Sequence, residues 1–392
     1  MFHNHRKNAL AITVTALLGS SNVYSEIEVN ISYLQQEIDQ GPVLSNILPE
    51  PEDAGLQGAK LAIQDSNTTG RFLKHKYQLQ ELVDEDPEVL LSKAKAQYDA
   101  GIRYFVVNTD DQTISKFTET LGKDALIFNA GSTTNALRQH MCTPNLFHTI
   151  PSRAMLTDAL AQWLKAKRLQ KIFMITGATP EDKAYSNSFK RSVKRFGLSI
   201  VEEKDWSFDT DLRRTAQSEM PLFTQHRDYD VVFVADERGD FGEYVLYNTW
   251  LPRPVVGTQG LMPVAWHRVV EQYGAAQLQS RFEKSSGRWM NGKDYSAWAA
   301  VRTVAEAVTR TQTNDASTNE AYIKSDQFQL AGFKGRKLDF RSWNGQLRQT
   351  IPLVHPRSLV SLSPQEGFLH PTNELDTLGF DQKETDCTET RK

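Results

Sequence analysis

The stretch VDEDPEVLLSKAKAQYDAGIRYFVVN, residues 83–108, reads as the end of one strand, an acidic loop, a helix and a second, almost wholly apolar strand. A strand, a crossover helix and another apolar strand form the unit of a parallel sheet covered on both faces. The same grammar runs through the chain on either side. Residues 27–34 (IEVNISYL) read as a strand, 54–67 as a helix, 77–83 as a strand and 87–100 as a helix. Strands follow at 103–108 (RYFVVN) and 125–129 (ALIFN), separated by a helix near 112–121. After residue 150 the pattern restarts with helix 154–166, strand 171–176 (KIFMIT), helix 181–196 and strand 198–203. A polar helix near 211–225, strand 230–235 (DVVFVA) and a short strand at 254–257 complete it. The alternation predicts an α/β protein of two similar halves joined near residues 147–152, with no flexible Gly/Ser linker between them.

Beyond residue 263 the reading gives helices at 264–283 and 294–310. The second is amphipathic through Tyr295, Trp298, Val301, Val304, Ala305 and Val308. The Thr/Asn/Asp/Ser-rich residues 311–319 read as an exposed loop. Short β-like pieces occupy 328–362 with a turn at Trp343-Asn344-Gly345, and the last twenty or so residues read as polar and irregular.

The 392 residues carry 45 Lys+Arg against 48 Asp+Glu, a formal charge of −3, so nucleic acid is not an expected partner. His3, His5, Arg6 and Lys7 precede an apolar run at 9–19 (ALAITVTALLG), and Val23-Tyr24-Ser25 precede a plausible cut. Residues 1–25 thus read as a cleaved signal peptide, the other reading being an uncleaved amphipathic anchor. The expectation is a soluble exported protein, made more acidic by the loss of Arg6 and Lys7. Export gives the two cysteines meaning. Cys142 and Cys387 have no zinc-like spacing, and in an oxidising compartment they can close one long-range disulfide, or stand as two thiols.

Motifs of chemistry are missing: there is no GxSxG elbow, HExxH, phosphate loop or GxGxxG fingerprint, so no enzyme, catalytic residue, metal site or cofactor is expected. Asp84 and Asp86 are spaced for a shared metal but read better as a loop capping the next helix. Trp250, Trp266 and Trp343 could stack on a planar ligand, although core packing is the commoner use of such residues.

Residues 83–108, LIFNAGSTTNALR (126–138) and FHTIPSRAMLTDALAQWL (147–164) resemble the type 1 periplasmic substrate-binding proteins of ABC transporters, the group of the branched-chain amino-acid receptors. LPRPVVGTQGLMPVAWHR (251–268), DYSAWAAVRTVAEAVTRT (294–311), WNGQLRQ (343–349) and FLHPTNELDTLGFD (368–381) resemble the subgroup encoded beside PQQ-dependent alcohol dehydrogenases. The resemblance implies two Rossmann-like lobes with parallel central sheets and an interlobe ligand cleft. Residues 26–148 and 261–338 would form the first lobe, 149–260 and 339–365 the second, and 366–392 a tail. It implies a monomeric periplasmic protein that delivers a small-molecule ligand to permease and ATPase subunits, linked to the alcohol-dehydrogenase system. A ligand sensor or accessory protein of that system is the alternative.

Ligands of open α/β sheets gather beyond the C-terminal strand ends, which directs attention to the loops there. In the first half these are residues 108–113 (NTDDQT) and 130–134 (AGSTT). In the second they are the segment after KIFMIT, the acidic pair after DVVFVA, and the turn near 259. By the resemblance the two loops of the first half hold a ligand carboxylate. Gly131 would allow close backbone approach, with Ser132 and Thr133 offering hydroxyls or merely capping a helix. Asp110 and Asp111 depart from that pattern, since like charges in one site are costly; they point to solvent or the ligand is no simple carboxylate. From the second half come Tyr185, read as lying in the loop after KIFMIT, then Asp236 and Glu237, then Gln259. Gln259 stands where the amino-acid receptors carry a glutamate for the ligand ammonium, and a neutral amide cannot make that ion pair.

Overall fold

The computed structural model describes Met1 and residues 26–387 except 40, 42–44 and 208–211. The signal-peptide reading lies outside the described residues. Strands and helices alternate as β1 (Ile27–Gln36), α1 (Leu56–Leu73), β2 (His75–Asp84), α2 (Pro87–Asp99), β3 (Tyr104–Asn108), α3 (Asp111–Thr120), β4 (Leu126–Asn129), α4 (Ala136–Gln139) and β5 (Leu146–His148). A second series follows: α5 (Arg153–Ala166), β6 (Lys171–Thr176), α6 (Pro180–Phe196), β7 (Ser199–Asp205), α7 (Leu212–Phe223), β8 (Val231–Ala235) and β9 (Val255–Gly257). The remainder holds β10 (Met262–Pro263), α8 (Ala275–Ser286), α9 (Gly292–Thr311), α10 (Ala316–Ile323), β11 (Leu330–Ala331), β12 (Lys337–Leu338), β13 (Ile351–His355) and β14 (Ser358–Ser363).

The first series closes a parallel sheet of order β2-β1-β3-β4-β5, the second one of order β7-β6-β8-β9. In both, the second strand lies outside the first and the rest continue on its other side. Each sheet therefore has a switch point, between β1 and β3 and between β6 and β8, where successive loops diverge and leave a crevice. The apolar strands are buried because both faces are covered. One face of the first sheet packs with α1, α8 and α9, the other with α2 and α3. The second sheet packs with α5 and α6 on one side and with α7 and residues 241–251 on the other. β10, β13 and β14 form a small antiparallel sheet against α5.

Helix starts explain how strand ends are aimed. Asp86 accepts the N–H of Glu88 and Pro87 fills the first helical position of α2, while Asp84 pairs with Lys93, so these carboxylates cap as expected. α6 begins with a reciprocal capping box between Thr179 and Asp182 and ends at Gly197 in the left-handed region, φ 63°.

Two expected elements are corrected. Residues 264–274 are not α-helical, with only a 3-10 turn at Gln272–Gly274: Tyr273 and Gly274 have φ of 58° and 82°, and the Val264 N–H binds the Pro352 carbonyl of the small sheet, so the α-helix begins only at Ala275. Residues 316–323, within and beyond the supposed loop at 311–319, form α10. Asp315 caps it by accepting the Thr318 N–H, and Asn319 is buried against the Tyr104 hydroxyl. The turn at Trp343-Asn344-Gly345 is present, with Gly345 at φ 63°. Cys142 and Cys387 form a disulfide, with Cα atoms 5.6 Å apart.

Candidate functional site

Asn129, fully buried at the end of β4, shapes the next loop. Its Oδ1 accepts the N–H groups of Gly131 (3.1 Å) and Ser132 (2.8 Å), and its Nδ2 donates to the Ser132 carbonyl and to His148 Nδ1. Gly131 is required by space: a Cβ there would lie 2.4 Å from Asn108 Oδ1 and 3.0 Å from the Thr109 nitrogen. The loop after β4 thus rests directly on the loop after β3. Beneath it Arg138 is fully buried, donating to the carbonyls of Ser132, Thr134 and Ile150 and to Gln346 Oε1. Burial, then the nearby Arg153 charge, pulls this guanidinium down to about 9, which leaves it charged at neutral pH.

The chain then crosses to α5, whose first N–H groups are received from both sides. Arg153 N donates to the Thr133 carbonyl (2.9 Å), Ala154 N to Asn135 Oδ1 (2.9 Å) and Met155 N to Ser152 Oγ (3.2 Å). The Arg153 side chain, 11% exposed, makes a bidentate ion pair with Glu237 at 2.8 and 2.6 Å. Burial lowers its pKa, but Glu237, with Glu181 and Asp111, outweighs this and holds it above the ordinary value. Asp111 is on the other half, so the field at Arg153 comes from both.

Glu237 is steadied by Asp182, whose Oδ1 accepts the Glu237 N–H at 2.7 Å. Burial, and then the Asp236 charge, raise the Asp182 pKa against the hydrogen bonds it accepts from Thr179 and Glu237. Residues 45–55, after β1, approach the same region: the Asn46 N–H donates to Glu243 (2.6 Å), and Ile47 lies against Gly239.

Of the residues singled out by sequence, several have their polar atoms engaged locally. Asp110 caps α3 by accepting the Thr113 N–H (2.8 Å) and hydroxyl (3.0 Å). Asp236, 2% exposed, accepts the N–H groups of Asp240, Phe241 and Gly242 at 2.8, 2.9 and 2.6 Å. Ser132 is buried in the turn around Asn129. Tyr185 is corrected in place: it lies inside α6, not in a loop, with its ring stacked on Phe233. Its hydroxyl has no hydrogen-bond partner among the described residues. Burial, then Glu237, raises its pKa, so it remains a proton donor. The Thr133 hydroxyl and the amide of half-buried Gln259, beside Gly242, are likewise without hydrogen-bond partners among the described residues. Trp266 stacks on Tyr295 in the core and Trp343 packs under Arg341 and Arg348; Trp250 is half-exposed.

Arg153, Arg138, His148 and Asn129 escaped the sequence reading. For Arg153 a signal existed, because a cation in the first turn of a helix opposes the helix dipole and calls for a partner. A surface hollow of about 550 Å³ beside Asn67, Arg71 and His75 lies elsewhere. It borders the N-terminal end of β2, the wrong end for an α/β ligand site, so the strand-end loops carry the stronger case.

Residues 50–241 match the family model described as Periplasmic binding protein. Among solved structures, a branched-chain amino-acid ABC transporter periplasmic ligand-binding protein from Burkholderia xenovorans LB400 is 15% identical, with a TM-score of 0.66 over 85% of this chain and 95% of that one. A solute-binding protein from R. palustris in complex with benzoate is 13% identical, with a TM-score of 0.63 over 86% and 98%. A leucine-, isoleucine-, valine-, threonine- and alanine-binding protein from Brucella ovis, in a closed conformation, is 15% identical, with a TM-score of 0.64 over 88% and 93%. No curated protein matches the sequence. The fold is that of type 1 periplasmic binding proteins, and residues 50–241 match the family model in sequence. Among the described residues no helix is long and apolar enough to cross a membrane.

Proposed function

We propose that this protein is the periplasmic solute-binding component of an ABC transporter, capturing a small ligand between two lobes and passing it to permease and ATPase subunits. It is a binding protein without covalent chemistry, exported with cleavage near residue 25 and acting as a monomer. We read the lobes as 26–148 with 261–338 and 149–260 with 339–365, and residues 366–392 as the tail. The observation that carries the reading is the pairing of two parallel sheets of the same strand order, with polar groups lacking hydrogen-bond partners among the described residues on the loops and helices that follow their strands. Those groups are the Thr133 hydroxyl and the Gln259 amide on loops, Arg153 Nη1 in the first turn of α5 and the Tyr185 hydroxyl in α6.

Amino acids and aromatic acids are the first candidates, since relatives of this fold hold leucine and benzoate. The motif resemblance of residues 251–268 and 368–381 adds alcohols and their aldehyde and acid products, through a link to PQQ-dependent oxidation; it equally favours a sensor or accessory role there. A thermal-shift screen of the mature chain with these classes checks the proposal. One saturable stabiliser is expected, raising the melting temperature as its concentration passes the dissociation constant. Turnover of a candidate with no stabilisation by any would refute a pure binding role. Recovery of permease and ATPase in a membrane pull-down supports transport, whereas recovery of a kinase or the dehydrogenase supports the sensor.

A further inference from the structure

The polar groups between the two halves divide unevenly. Asp110, Asp182 and Asp236 all accept backbone N–H groups, Asp110 from its own helix α3, and the first three N–H groups of α5 are spent on Thr133, Asn135 and Ser152. Neither these carboxylates nor the helix terminus is left to receive a ligand. Arg153 differs. It is 9% exposed, Nε and Nη2 are held by Glu237, and the Nη1 amino group has no hydrogen-bond partner among the described residues. Behind it stands the buried charge of Arg138, which has carbonyl and amide acceptors but no carboxylate partner among the described residues. Two cations share this low-dielectric region, and the single carboxylate on Arg153 is carried by a loop residue whose side chain is 24% exposed.

A planar guanidinium in such surroundings receives carboxylates in bidentate geometry better than any other side chain. We infer that Arg153 is the receptor for a carboxylate group on the ligand, and that Glu237 is an internal stand-in which competes with that carboxylate for the guanidinium. The inference rests on the proposed interlobe binding role and narrows it to a ligand class, organic carboxylates. Tyr185, buried in α6, lies within the electrostatic reach of both Glu237 and Arg153. Glu237 then sets a threshold: it keeps the guanidinium oriented and charge-balanced in the empty protein, and it rejects neutral compounds that cannot replace it.

Calorimetric titration of the mature chain with matched probes tests this: benzoate against benzamide, and 3-methylbutanoate against its amide. Carboxylates bind and amides do not. Arg153→Met weakens carboxylate binding by about tenfold or more, the value of a charge-assisted hydrogen bond. Glu237→Gln removes the competitor and tightens it several-fold with the amides unchanged. If Arg153→Met fails to fold, the Glu237→Gln result decides. Unchanged carboxylate affinity in a folded Arg153→Met protein, or unchanged or weaker affinity in Glu237→Gln, overturns the inference and reduces the pair to a structural ion pair. Saturable binding of the amides, of alcohols or of cationic amines in place of carboxylates overturns it while leaving the binding role intact. Folded wild-type protein that binds none of these classes removes both.

Discussion

His148 joins the predicted ligand loop to the rest of the fold through one fully buried ring. Its Nδ1 accepts from Asn129 Nδ2 at 3.1 Å, its other nitrogen faces the Leu137 carbonyl, and its backbone pairs with Gly345 and Leu347. Burial, then the Arg138 charge, pushes its pKa well below the usual value. The unfolded chain takes up a proton near pH 6.5 while the folded one resists, so stability is complete above that pH and falls as acid is added. The slope is about 1.4 kcal/mol per pH unit, down to the folded-state pKa. His148→Gln removes that proton linkage: denaturant melts between pH 8 and pH 5 are expected to show a flatter profile from a lower starting stability. An unaltered slope would assign the acid sensitivity to other groups, such as His267, whose pKa burial also lowers. What the sequence disclosed at this scale follows from what a residue type can signal. Hydroxyls, carboxylates and a glycine after strands pointed to the loops at the C-terminal strand ends. They did not reveal that Asp110, Ser132 and Asp236 spend their polar atoms on backbone N–H groups, because loop geometry decides that. Arg138 was unreadable because its partners are mostly carbonyl oxygens, which every residue carries.

At the scale of elements, α1 and α9 touch backbone to backbone. A Cβ on Gly58 would sit 1.8 Å from the Asp294 carbonyl oxygen and 2.7 Å from its Cα, so only glycine lets the two helices meet there. The same Asp294 starts α9 through a capping box with Asn291, accepts the Gly55 N–H at 2.8 Å and binds Arg288, which ties both helix starts to one buried carboxylate. Helix propensity alone would have Gly58→Ala stabilise by up to about 1 kcal/mol. The clash reverses the sign, and a net loss of about 2 kcal/mol or more is expected in chemical denaturation; a gain would mean that the helices separate freely. Most strands and long helices were legible because fully apolar strands and amphipathic spacing are local properties. The two misread segments are those where tertiary contacts won. Residues 264–274 carry enough apolar residues for a helix but are held by the small sheet and by two left-handed residues. α10 has the composition of a loop, yet Asp315 caps it and the Asn319 side chain anchors it to Tyr104.

Across the whole molecule, the tail does more than its irregular sequence suggested. Gly379 exchanges hydrogen bonds with Asp158, Arg191 and Arg195, joining the tail to α5 and α6, which cover the second sheet. Six residues later Thr385 Oγ1 donates to the carbonyls of Arg138 and Gln139, and the Cys387 disulfide fixes the chain to Cys142, beyond α4 at the edge of the first sheet. The tail is therefore a strap between elements of the two sheets, covalent at one end and hydrogen-bonded to charged side chains at the other. Closing a loop across a sequence separation of 245 residues is worth about 5 kcal/mol on the chain-entropy account, less any strain. Cys142→Ser combined with Cys387→Ser should lower the melting temperature by several degrees, and wild-type protein under reductant should match it. If the strap also limits how far the halves separate, the double variant in solution scattering has a larger radius of gyration without ligand and returns to the wild-type value when a saturating ligand closes it. Equal radii with and without the disulfide, alongside the drop in melting temperature, would confine the bond's role to stability and leave the range of opening to the proposed crossovers near residues 149, 261 and 339.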